Sequence, residues 1–340
     1  MRKLLLFTFA CTMMVLGFSS CSDDDNDGSE KKSDNKVALI FPSGKTVSRW
    51  ADDAKFLKDA LISYGYEVKL YSDAEETQEG AELQVKQLDE ALKAGYTHFV
   101  ITPIDYKVIN DSKLLQNNRD CDFISYDRMI MDNDAVDYYV TCDPYRIGEM
   151  QAQFLLQYFR ASGSKSMAIE YFAGPETDRN ASIYFSSAYS LLSSEQWLNV
   201  PSGKTAYKDV ALPSWTAEDA KAEMLQRLEK NGLPDLVLAP NDNVAEGVIS
   251  AIEEKGFTKF PVITGQDLTS AAKANIKAGK QAMSIYKEYE ELAKNAAIVV
   301  NSFILGNPVK TGKAFNNGAK DIPVFYSEAT QVTIDNINKY

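Results

Sequence analysis

Apolar positions along the chain fall into two alternating rhythms. Short, nearly continuous apolar runs lie at 36–41, 66–71, 98–102, 122–126 and 137–141, then at 166–171, 204–210, 235–239, 261–264 and 282–286. Between them apolar residues recur at helical spacing, which predicts helices over 47–64, 77–94, 147–159, 181–192, 217–230, 244–254, 270–278 and 289–304. In 77–94, for example, Leu83, Val85, Leu88 and Leu92 fall toward one side. Regular alternation of strand and helix predicts parallel sheets with helices on both faces. Strands as apolar as KVALIF and HFVIT fit burial on both sides. The strands outnumber one comfortable sheet, so the expected class is α/β with two doubly wound parallel-sheet lobes. Ligands of such sheets sit beyond the carboxyl ends of the strands.

The first 35 residues follow neither rhythm. Arg2 and Lys3 precede an almost wholly apolar stretch over 4–18, too short to span a bilayer comfortably and suited to the core of a signal peptide. Small residues lead into Cys21 in the order Gly17-Phe18-Ser19-Ser20-Cys21. This predicts a lipoprotein signal peptide over 1–20 with lipidation at Cys21, although Phe18 stands where Leu, Val or Ile is usual. Cleavage by an ordinary signal peptidase, with Cys21 incidental, is the alternative. Residues 22–35 (SDDDNDGSEKKSDN) contain nothing apolar, so 21–35 reads as a disordered acidic tether. It is either a plain spacer or an export tag for display on an outer-membrane surface. The expected location is the cell envelope, on the periplasmic face or the outer surface.

Composition removes several functions. The formal net charge of −12 argues against a nucleic-acid partner, which requires clustered Lys and Arg. Cys121 and Cys142 start and end predicted strands, about a strand length apart if these are parallel, so buried thiols are expected rather than a disulfide. There is no CxxC or Cys/His spacing, P-loop, G-x-G-x-x-G or G-x-S-x-G string, and the one histidine, His98, opens an apolar strand. No metal, no cofactor and no catalytic residue is expected. A pair of carboxylates could hydrolyse a glycoside, with Asp127 and either Asp242 or Asp267 as candidates, but each has an Arg, Asn or Gln beside it suited to plain hydrogen bonding.

Polar and aromatic residues concentrate at the predicted strand ends. They are Lys45, Arg49 and Trp50 after the first, Asp127 and Arg128 after the fourth, then Asp178 and Asn180, Trp215, Asn241 and Asp242, Gln266 and Asp267, and Lys287. Carboxylates and guanidinium forks suit the paired hydroxyls of a sugar, amides donate and accept at once, and indoles cover flat C–H faces. Singly, each has a duller reading: Asp178, Asp242 and Asp267 as helix caps, Lys45, Arg49 and Lys287 as solvated charges, Trp50 and Trp215 as core.

Specific strings add to the pattern. Arg49-Trp50, Tyr126-Asp127-Arg128-Met129-Ile130, Gly148-Glu149-Met150-Gln151-Ala152, Asn241-Asp242, Gly265-Gln266-Asp267, Ile285-Tyr286-Lys287 and Asn316-Asn317-Gly318 occur in order from residue 36 onward. With them the chain resembles the periplasmic type I sugar-binding proteins, the family of the xylose-binding protein and the multiple-aldose receptor. The resemblance implies two lobes joined by hinge strands that close on a monosaccharide. It implies contacts from Lys45, Arg49, Trp50, Asp127, Arg128, Asn180, Trp215, Asp242, Gln266, Asp267 and Lys287. It also implies a monomer that is not an enzyme and that serves an ABC transporter permease; a membrane sensor kinase or surface glycan capture are the alternatives. The implied lobes are 36–142 with 287–318 and 143–286 with 319–340, crossing near 142–143, 286–287 and 317–323. Two stretches depart from the family pattern: Gly174-Pro175-Glu176 with Arg179 in place of an Asn, and the broken aromatic run at 182–185. Arg179 could reach an acidic sugar or point to solvent.

Overall fold

The computed structural model describes residues 35–340; the signal segment, Cys21 and the acidic tether up to residue 34 lie outside the described residues. The first elements are β1 (Lys36–Pro42), α1 (Arg49–Ser63), β2 (Glu67–Ala74), α2 (Gln78–Lys93) and β3 (His98–Ile101). Short helices α3 (Tyr106–Asp111) and α4 (Leu114–Asn117) lead to β4 (Asp122–Tyr126) and β5 (Tyr138–Cys142). Then come α5 (Pro144–Ser162), β6 (Met167–Tyr171), α6 (Arg179–Leu192), β7 (Leu198–Asn199), α7 (Tyr207–Val210), α8 (Ala217–Asn231) and β8 (Leu236–Leu238). The chain continues with α9 (Asp242–Glu254), β9 (Val262–Ile263), α10 (Ser270–Lys277), β10 (Met283–Tyr286) and α11 (Tyr289–Ile304). It ends with β11 (Ala314–Asn316), β12 (Asp321–Ser327) and β13 (Thr330–Thr333).

These form two α/β lobes. The first lobe's sheet has the order β11-β12-β5-β4-β3-β1-β2, the second lobe's β7-β6-β8-β9. All pairings are parallel except β11 with β12 and the separate ribbon of β10 with β13, both antiparallel. The apolar strand runs behave as expected of doubly covered strands: Val37 to Phe41 and Phe99 to Ile101 are essentially inaccessible. Several helix starts carry side-chain caps: Thr77 accepts from the Gly80 amide, and Asp143, just before Pro144, accepts from Tyr145 and Arg146. In each sheet the strand order reverses direction, between β1 and β3 in one and between β6 and β8 in the other. The loops leaving these switch points open the crevice where ligands bind in such folds.

Three features differ from the sequence expectation. Residues 204–210 form no strand; 207–210 are the helical turn α7, and the neighbour of β6 is the brief β7. The exclusively parallel pattern gives way to two antiparallel pairs, because the short end segments β11, β12 and β13 carry no continuous buried run. The third crossing is also later than 317–323: β12 pairs with β5 through Val324 and Tyr139 to Ser327 and Cys142, so 319–327 belong with the first lobe. The chain thus passes between lobes after β5, between β10 and α11, and between β12 and β13. Cys121 and Cys142 are buried, as expected of thiols at strand ends.

Candidate functional site

Where the two sets of strand ends meet, a small cavity is lined by Val47, Arg49 and Trp50 from the segment after β1 and by Asp127 and Arg128 after β4. Asp178, Tyr184, Trp215, Asn241, Gln266 and Asp267 close it from the second lobe, with Lys287 from the second crossing. Arg49 organises one side. Its Nε donates to Asp53 at 2.8 Å, and its Nη1 lies 3.0 Å from Asp127 and 3.3 Å from Asp267. The guanidinium lies 4.5 Å from the Trp50 centroid and 5.0 Å from that of Tyr289, where a planar cation can stack on the rings as well as face them electrostatically. Asp53 is held in turn by the Tyr126 hydroxyl at 2.6 Å.

Arg128 organises the other side. It reaches Glu76 at 3.0 Å within its own lobe and Asp178 at 2.9 Å across the cleft. Trp50 links the two halves, because its Nε1 donates to Glu76 at 2.7 Å and its ring lies 5.1 Å from the Arg128 guanidinium. Lys287 Nζ bridges Asp127 at 3.1 Å and Asp267 at 3.8 Å. Three buried cations therefore face five carboxylates: Asp53, Glu76, Asp127, Asp178 and Asp267. A pair truncated at one partner would leave an uncompensated charge in a dry site.

Backbone geometry fixes these groups. Asp127 has a φ of 57°, a left-handed conformation that a short acidic side chain tolerates. Its carbonyl accepts from the Tyr139 hydroxyl at 2.6 Å, the Asn180 amide at 2.8 Å and the Thr141 hydroxyl at 3.1 Å. Burial pushes the Asp127 carboxyl upward, but Arg49, Lys287 and Arg128 outweigh it and hold the group well below the usual carboxylate range. It stays ionised, an acceptor and not a proton donor. Asp178 goes the other way: burial raises it, only partly offset by Arg128. On the facing wall the Trp215 indole lies flat on the chain at Gly174, where any Cβ would fall about 2.1 Å from the ring; its Nε1 donates to Asp178 at 3.2 Å.

Most of the sequence-predicted residues converge here: Arg49, Trp50, Asp127, Arg128, Trp215, Gln266, Asp267 and Lys287 all line the cavity. Three do not. Lys45 is largely exposed and pairs with Glu75 at 2.7 Å; its loop turns outward. Asn180 is buried, yet it spends its amide on the Asp127 carbonyl and acts as a latch between lobes. Asp242 lies behind the wall, accepting from the Thr269 amide at 2.9 Å, the Gln281 amide at 2.8 Å and the Ser284 hydroxyl at 2.8 Å. Arg179 is exposed and donates to Ser182 at 2.9 Å. Sequence reasoning missed Glu76 and Tyr184 as wall or supporting residues; Asn241 and Asp178 stand among its strand-end polar residues but not in the implied contact set, and capping was the duller reading of Asp178. Asp178 is both, since it also accepts from the Asn180 amide to start α6. His98 lies at the opposite ends of the strands, 2.6 Å from Asp122.

Three buried polar atoms of the lining have no hydrogen-bond partner among the described residues; Arg128 Nε has its ion pair with Asp178, which leaves Arg49 Nη2 from the first lobe and Gln266 Oε1 from the second. One donates, the other accepts, and each is costly to leave unmade. A guest able to do both, with no net charge to upset the ion pairs, fits the chemistry.

A model of the periplasmic binding protein domain matches residues 37–308. The multiple sugar-binding periplasmic protein SbpA of Azospirillum brasilense is 28% identical over 312 residues, covering 88% of this chain and 86% of its own length. The D-xylose-binding periplasmic protein of Escherichia coli is 29% identical over 279 residues, covering 82% and 80%. A solved ABC transporter solute binding protein from Clostridium phytofermentans, with bound β-D-glucose, has a TM-score of 0.83 and 29% identity, covering 89% of this chain and 95% of that one. With a family match over most of its length and the two-lobed parallel-sheet fold, the chain belongs to the periplasmic binding protein family.

Proposed function

We propose that this protein is a lipid-anchored receptor that holds a neutral aldose ring, of the xylose or glucose kind, between its lobes and delivers it to an ABC transporter. The observation that carries the reading is the pair of unpartnered atoms, Arg49 Nη2 and Gln266 Oε1, set among cross-lobe ion pairs and two indoles. A sugar hydroxyl both donates and accepts, so one ring can satisfy an orphan donor and an orphan acceptor on opposite lobes. Trp50 and Trp215 offer faces for its C–H surfaces. The relatives that bind xylose, glucose or several sugars support the same class of ligand.

The cavity measures about 20 Å³, the scale of a single water, whereas small-molecule sites run to roughly 300–1,000 Å³. A ring therefore enters only as the pairs Arg49–Asp267 and Arg128–Asp178 part and take hydroxyls between them. The three crossings allow this as a hinge motion of two rigid lobes. Cys21 is the proposed lipid anchor, which would keep the receptor beside its membrane partner. The test is calorimetry of the purified protein with D-xylose, D-glucose and D-glucuronate. Saturable binding of an unaltered neutral aldose, with the uronate weaker, is expected; an absence of heat and of any melting shift with every neutral aldose overturns the proposal.

A further inference from the structure

The cavity is not closed on all sides by the same residues. A groove of about 570 Å³ lies against it and shares two lining residues with it, Arg49 and Asp267. The partition between the spaces is thus one cross-lobe ion pair at 3.3 Å. That pair is also one that must part for a sugar to enter, and when it parts the two spaces join.

The groove has the character of a second carbohydrate subsite. Phe56 from α1, Tyr286 at the end of β10, Tyr289 at the start of α11 and the terminal Tyr340 contribute aromatic surface. Tyr286 packs edge-on against both Tyr289 and Tyr340, with centroids 5.1 and 5.3 Å apart, so the rings hold one another in place. The Tyr289 hydroxyl is buried and has no hydrogen-bond partner among the described residues, and the same holds for Arg49 Nη2 beside it. Side-chain charges in the groove balance, with Asp52, Glu288 and Asp267 against Arg49, Lys273 and Lys339. Its volume lies within the range of small-molecule sites. Rigid aromatics, two unmet polar atoms and balanced side-chain charges suit a neutral polyol ring.

We infer that the natural ligand is a short glycoside, an aldose ring in the inner cavity carrying a second sugar in the groove, with the glycosidic bond passing between Arg49 and Asp267. The inference rests on the aldose-receptor reading above and names the substrate class of that site.

The test is calorimetry of the purified protein with D-glucose, D-xylose, cellobiose, maltose and xylobiose, repeated with Ser270→Trp and Tyr340→Ala. Ser270 is exposed at the start of α10 on the groove wall, so a tryptophan there intrudes into the space, and Tyr340 is exposed and adds one of its aromatic rings. At least one dimer is expected to bind tenfold or more tightly than its monosaccharide. Both variants should erase that gain while leaving monosaccharide affinity within about twofold. Monosaccharide binding with no dimer tighter overturns the glycoside inference and leaves the aldose receptor standing. A dimer gain that survives both variants also overturns it, because the groove is then not the seat. Binding of none of the five sugars overturns the receptor reading and the inference together.

Discussion

Replacing Asp242 with asparagine separates a structural carboxylate from a ligand contact. Asp242 is fully buried and faces amide and hydroxyl donors, not a cation: Thr269 N–H, the Gln281 amide and the Ser284 hydroxyl. Burial, reinforced by the nearby Asp267 charge, raises its pKa from the ordinary 3.8 to about 7 against the pull of those donors. In the unfolded chain it titrates at its ordinary value. Between about pH 4 and 7 the folded protein therefore holds a proton that the unfolded chain has released, and stability falls as pH rises through this window, levelling above it. A shift of about three units corresponds to about 4 kcal/mol at full extent. Asparagine fits the same space: its carbonyl can accept from Thr269, its amide can donate to the Ser284 oxygen, and Gln281, whose Oε1 is unpartnered among the described residues, can turn to accept. The measurement is the melting temperature of both proteins across pH 4–8. The variant should gain on the native protein as pH rises, by roughly 5–10 °C between the ends of the range, with aldose affinity unchanged because Asp242 is outside the cavity lining. A constant difference across that range, or a variant that loses the sugar while remaining folded, refutes the reasoning.

Asp127→Asn keeps the left-handed backbone accessible while removing the charge shared by Arg49 and Lys287; affinity for the bound aldose should fall by about 2–3 kcal/mol, or roughly 30- to 150-fold by calorimetry. Arg128→Ala, which leaves Glu76 and Asp178 buried without their cation, should cost about as much or more and lower the melting temperature as well. Lys45→Ala removes only an exposed pair with Glu75 and should leave affinity within about twofold. Cys21→Ala should move the protein from the membrane to the soluble fraction on cell fractionation, the proposed lipid anchor being lost.

Much of this was legible because both signals in the sequence are coarse and physical. Double burial makes β1 and β3 read as unbroken apolar runs, and the switch-point rule points to their carboxyl ends, where Arg49, Asp127 and Asp267 do meet. What escaped was set by tertiary context. Glu76 follows Glu75 in an acidic stretch after the half-exposed β2, so it resembled solvated charge; only the return of Arg128 and Trp50 over it makes it part of the wall. Tyr184 lies within an amphipathic helix, where an inward aromatic reads as core. Asp178 and Asp242 carry the same local signature after a strand, yet Arg128 approaches one, while Gln281 and Ser284 enclose the other. β11 and β12 alternate in polarity as the edge of the sheet, without the continuous apolar run that marks its centre.

The late pairing of β12 with β5 has a consequence for how the molecule is made. β5 is buried along its whole length, and the strand that covers its outer flank spans Asp321–Ser327. A nascent chain emerging N-terminus first can assemble β1 to β5 long before that cover exists, leaving the unpaired N–H and C=O groups of an apolar strand open to stray partners. The final few turns of synthesis thus act as a staple, and a frameshift or proteolytic nick that loses only the tail would produce a sticky half-finished sheet, not a slightly shorter receptor.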